Sequence, residues 1–86
     1  MYSIEDEKTV CKEFGIFYKE IYFDDEDGAD IAIWREGADI FIKTFSGEAN
    51  AVALEPYYIS KIAFALKTAK RDAETVRALL NERSSE

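Results

Sequence analysis

The sequence predicts an α+β fold: a short N-terminal helix, a three- or four-stranded antiparallel meander, and a long or broken C-terminal helix packed on one sheet face. Three observations predict it. Apolar residues recur at helical spacing near both ends of the chain. Between Ile16 and Leu54 they instead alternate, or run in short β-branched and aromatic stretches. Polar, glycine-containing segments punctuate that middle portion.

Residues 3–15 read as the first helix. Ser3 can cap it, Glu5, Asp6 and Glu7 complement the positive end of its dipole, and Lys12 sits in its last turn. Gly15 supplies a left-handed C-terminal cap, and Ile4, Cys11 and Phe14, with Val10 beside them, define one apolar face. IFYKEIYF at 16–23 then reads as a strand, and DDEDGAD as a turn. Segments 30–35 and 39–45 form a hairpin joined through Glu36, Gly37, Ala38 and Asp39. Ile31 and Ile33 alternate with Ala32 and Trp34, and Phe41 and Phe45 with Ile40 and Ile42, so both sheet faces are apolar. One face should meet the helices, leaving the other exposed or covered by a partner. SGEAN at 46–50 reads as a second turn and AVAL at 51–54 as a short last strand.

Glu55-Pro56 opens the final segment, with proline in the tolerated first turn. Ile59, Ile62, Leu66, Ala69, Ala73, Val76 and Leu80 follow at alternating steps of three and four, an unbroken seam. Arg71-Asp72 could divide this stretch into two helices, since aspartate caps well. A helix over 57–82 would be about 39 Å long, so part of it should overhang, bend or meet a partner. In that last case the seam would pair with a second copy, giving a homodimer.

Composition bounds the rest. Eighty-six residues make one small acidic domain, 1–86. Hydrophobic residues form 48% of the chain and aromatics 14%, a globular composition. The lone Cys11 forms no internal disulfide, so the fold needs no oxidising compartment and a cytoplasmic location is expected. The acidic N-terminus does not look like a secretory leader, and no apolar run suits a membrane span.

Net charge is −7, unevenly placed: residues 1–55 carry −9 and residues 56–86 carry +2. Six carboxylates, Glu20, Asp24, Asp25, Glu26, Asp27 and Asp30, crowd one short stretch, and Glu36 and Asp39 follow in the hairpin connection. An EF-hand fails on register, because Gly28 at loop position six would put Phe23 and Trp34 where ligating carboxylates belong. No metal or other cofactor is therefore expected. An enzyme is not expected either: the chain has no histidine, no phosphate-binding glycine loop and no CxxC pair. Six bases diluted by four acids make the C-terminal segment a poor nucleic-acid-binding stripe.

What the pattern favours is a non-catalytic protein-binding inhibitor. Carboxylates at 20, 24–27, 30, 36 and 39 would stand in for phosphates and block a basic, nucleic-acid-handling partner. By analogy of size and charge alone, its class would be that of phage and mobile-element DNA mimics, anti-CRISPR and anti-restriction proteins among them. The competing expectation is a small homodimeric structural or assembly module built on the Ile59–Leu80 seam, with acidity serving only solubility.

Overall fold

A computed structural model of the chain describes residues 2–24, 30–45 and 52–84. It shows the expected α+β architecture: α1 (Ile4–Glu13), β1 (Lys19–Phe23), β2 (Ile31–Glu36), β3 (Asp39–Thr44) and α2 (Pro56–Ser84). The strands form one antiparallel sheet in the order β1-β2-β3, and α2 packs on one of its faces.

Helix α1 starts where its sequence says it should. Ser3 is the N-cap in a reciprocal capping box: its Oγ accepts the Asp6 N–H, and the Asp6 carboxylate accepts the Ser3 N–H. Gly15, at φ +69°, ends it in the left-handed region. The buried face is narrower than periodicity suggests. Val10 and Cys11 are buried, while Ile4 and Phe14 stay more than half exposed.

Strand β1 begins at Lys19, three residues later than the apolar run, because the chain before it serves a different purpose. The carbonyls of Phe17 and Tyr18 accept hydrogen bonds from the Arg35 guanidinium, and Tyr18 O also accepts the Gly37 N–H at 2.8 Å. Within β1 the register slips between Ile21 and Phe23. Two residues of the bulged strand then share one side, so Tyr22 reaches the helix and Phe23 enters the core.

The β2–β3 hairpin closes through Gly37 and Ala38 alone. Gly37 has φ +62°, and Ala38 lies outside the positive-φ region, the signature of a type II′ turn. The 46–50 turn lies outside the described residues. Residues 52–55 are not a strand; Leu54 packs instead against the core around Phe23, Ile33 and Ile62.

Helix α2 is continuous over 29 residues, with no break at Arg71-Asp72. Buried positions Ile62, Ala69, Ala73, Val76 and Leu80 run straight past that point, so the tertiary contacts favour one helix. Asp72 does not cap; its Oδ2 accepts the Tyr22 hydroxyl at 2.8 Å. At 1.5 Å per residue the helix is about 43 Å long, and it sets the 48 Å long axis of a molecule only 23 by 18 Å across.

Two apolar clusters hang from this helix. Its N-terminal half contributes Ile62 and Ala65 to a cluster with Phe23, Ile31 and Ile33. Its C-terminal half contributes Val76 and Leu80 to a second cluster with Val10 and Cys11 of α1. Burying each large aliphatic side chain stabilises the fold by about 1.5–3 kcal/mol. Tyr2 and Asn81 at 2.8 Å, and Glu13 and Arg83 at 2.8 Å, tie the ends of the two helices together.

Candidate protein-binding surface

Parity along β2 sorts its side chains. Ile31, Ile33 and Arg35 point to the helices and are buried, while Ala32, Trp34 and Glu36 occupy the opposite, helix-free face. Cross-strand pairing extends that face to Lys19 and Ile21 of β1 and to Asp39, Phe41 and Lys43 of β3. Its centre is an apolar row across all three strands, Ile21–Trp34–Phe41. Ile21 is 60% exposed and Phe41 40%. The Trp34 and Phe41 rings stack with centroids 5.5 Å apart. Trp34 donates its Nε1–H to Glu36 at 2.7 Å, and Lys19 Nζ lies 6.0 Å from the indole centroid.

The carboxylates expected to form one acidic patch are distributed by the sheet. Glu36 and Asp39 sit at the hairpin end. Asp24 and Asp30 sit at the other end, beyond Phe23 and before Ile31, and β2 separates the two ends by about 17 Å. Asp25, Glu26 and Asp27 lie outside the described residues. Asp30 is exposed, with φ +54°, and its carbonyl accepts the Phe45 N–H at 2.9 Å. Glu20 points to the helix side. Its Oε2 lies 3.6 Å from Arg35 and 3.2 Å from the Tyr22 hydroxyl, so it serves the interior. Lys19 and Lys43 interrupt the acidity of the open face.

The seam of α2 faces inward. Ile62, Ala69, Ala73, Val76 and Leu80 are buried within the chain and Leu66 is half-buried, leaving Ile59 as the seam residue that is mostly exposed. These side chains cover the sheet and α1.

Sequence reasoning missed the polar centre of the molecule, Arg35. This side chain is fully buried. Its Nε donates to the Tyr22 hydroxyl at 2.8 Å, Nη1 to Gly37 O at 2.8 Å and Tyr18 O at 3.5 Å, and Nη2 to Phe17 O at 2.7 Å. Each guanidinium nitrogen therefore has an acceptor, and Glu20 lies 3.6 Å from Nη2 as an ion-pair partner. Burial pushes the Tyr22 hydroxyl up to about 12, with the Asp72 hydrogen bond acting in the same direction and Arg35 opposing. Burial likewise raises the Cys11 thiol, against the pull of Arg35. The signal was available: Arg35 shares the parity of Ile31 and Ile33.

A cleft of about 220 Å³ opens beside this network, lined by Gly15, Ile16, Phe17, Glu20, Arg35, Asp72 and Thr75. Its charged groups are engaged with one another, and the arrangement holds the structure together. Among the described residues, no group of three or more His, Cys, Asp or Glu side chains is placed to hold a metal ion, and no helix is long and apolar enough to cross a membrane. No protein-family model, curated protein or solved structure matches the chain.

Proposed function

We propose that the chain is a non-catalytic protein-binding module that engages a basic, nucleic-acid-handling partner and inhibits it by occupying its phosphate-binding site. The observation that carries this reading is the helix-free sheet face. An apolar row of exposed Ile21, half-buried Trp34 and exposed Phe41 lies between carboxylates at either end of the sheet, Asp24 and Asp30 on one side, Glu36 and Asp39 on the other. Protein interfaces have this anatomy, with aromatic anchors at the centre and a polar rim. The rim steers an oppositely charged partner and orients it. DNA mimicry of the anti-CRISPR or anti-restriction kind remains an analogy of size and charge.

The test is capture of partners from native lysate on the immobilised chain at low and high salt, with duplex DNA as competitor. Binding is expected to weaken steeply with salt and to be displaced by DNA. A D30N/D39N variant should capture less at low salt and lose most of the salt dependence. Equal capture by that variant, with the same salt dependence, refutes the reading.

A further inference from the structure

We propose that the outer edge of β3 pairs antiparallel with β3 of a second copy about a two-fold axis through Phe41, joining two three-stranded sheets into one of six strands. The inference does not rest on the partner-binding reading above, although both use Phe41 and Asp39. Strand β3 is at the edge of the sheet, all six of its residues are exposed, and among the described residues no strand pairs with its outer side. Ile40 is 38% exposed and Ile42 55%, a large apolar display for a strand with no described neighbour on its outer side.

The backbone fixes which groups are on offer. A two-residue hairpin loop makes its flanking residues, Glu36 and Asp39, a hydrogen-bonded pair. By alternation, Phe41 and Lys43 also bond to β2, whereas Ile40, Ile42 and Thr44 turn their N–H and C=O groups outward. With the axis at Phe41, Ile40 lies opposite the partner's Ile42 and the reverse, so outward groups meet outward groups in about four main-chain hydrogen bonds. Pairing stops at Asp39, because the next N–H, that of Ala38, already donates to Glu7 at 2.9 Å.

Charge selects this register over its neighbours. About Phe41, Asp39 lies opposite the partner's Lys43, twice per dimer, and both residues are on the helix-free face. An axis at Ile42 would instead set Lys43 against Phe41, and an axis at Ile40 would set Asp39 against Phe41. A lysine on an edge strand ordinarily discourages pairing; here Asp39, four residues away, neutralises it only against a second copy in this register. The Phe41 side chains meet at the axis as a close, non-hydrogen-bonded pair, continuing the Trp34–Phe41 stack of one copy into that of the other.

Sedimentation equilibrium from about 5 to 500 µM chain at low salt tests this, a range set by the small area a single strand pair buries. The native chain should dimerise within that range. Asp39→Lys or Lys43→Asp alone puts two like-charge pairs in the interface and should weaken the dimer by about tenfold or more. D39K/K43D together should restore it. Exchange of the Ile40 and Ile42 amides should slow as concentration rises. A native chain that stays monomeric, single reversals that leave the dimer intact, a double variant no better than the singles, or amide exchange independent of concentration would each overturn the proposal.

Discussion

Gly37→Ala should cost this fold far more than a glycine substitution at an ordinary turn. At φ +62°, the added Cβ carries the usual left-handed penalty of about 1 kcal/mol. It would also stand 2.6 Å from Oε1, 2.7 Å from Cδ and 3.1 Å from Cβ of Glu7. Glu7 is a buried residue of α1 whose carboxylate accepts the Ala38 N–H. The Oε1 and Cδ contacts force the Glu7 carboxylate out of its place, so the charge-assisted hydrogen bond to Ala38 N–H is lost at about 2 kcal/mol. The combined loss is about 3 kcal/mol. With an unfolding entropy of about 2.1 cal/mol/K per residue, that lowers Tm by about 17 °C. Urea unfolding of Gly37→Ala, Glu7→Ala and the double variant isolates the mechanism. Glu7→Ala takes away the Oε1 and Cδ contacts and the bond, leaving only the tight 3.1 Å contact with Cβ, so Gly37→Ala should cost only about 1 kcal/mol in that background, a coupling of about 2 kcal/mol. Additive losses would refute the account, because the cost would then lie in the turn and not in its contact with α1.

Four further outcomes concern the polar centre and the apolar cluster beside it. Arg35→Met should destabilise by about 3–5 kcal/mol in urea unfolding, because the carbonyls of Phe17, Tyr18 and Gly37 lose their donor and cannot themselves be made apolar. Tyr22→Phe should cost about 1.5–3 kcal/mol, leaving Asp72 and Arg35 Nε without their shared hydroxyl. Because the folded state holds the Tyr22 proton to about 12 against an ordinary value of 10, its contribution is complete below pH 10 and is lost as pH rises toward 12. Alkaline Tm profiles should therefore fall less steeply for Tyr22→Phe than for the native chain. Cys11, buried and with its thiol raised, should react with a disulfide reagent only as fast as the fold opens, and mild urea should accelerate that reaction.

Local grammar was the most legible part of this chain. The Ser3 cap, the Gly15 terminator, the hairpin turn and the helix start at Pro56 each depend on a few neighbouring residues whose chemistry leaves little choice. Features that depend on distant contacts were less legible. Asp72 has the right chemistry for a cap, but the apolar face on either side is buried as one stripe, and Tyr22 engages the carboxylate. AVAL has strand propensity, yet Leu54 packs into the Phe23–Ile33 cluster. Glu7 reads as one of three first-turn acids complementing a dipole, and only the fold reveals that it closes the hairpin turn from α1. The bulge at Tyr22 is invisible to an alternation rule, since it breaks that rule.

The same contrast changes what the acidity means. A count of side chains treats all carboxylates as surface, but Glu7, Glu20 and Asp72 are committed to the Ala38 amide, Arg35 and Tyr22, and Glu36 holds the Trp34 indole. These acids stabilise the scaffold. At the ends of the helix-free face a partner-binding role for charge therefore falls mainly to Asp30 and Asp39, which are exposed at opposite ends of the sheet. Two carboxylates that far apart can orient a basic partner, but they give little affinity without contact between them. The Ile21–Trp34–Phe41 row occupies that interval. Salt dependence and affinity should consequently separate: neutralising Asp30 and Asp39 should slow association and flatten its salt dependence, while Trp34→Ala should mainly speed dissociation. Both sets of variants slowing association alike, with dissociation unchanged, would place the binding energy elsewhere on the molecule.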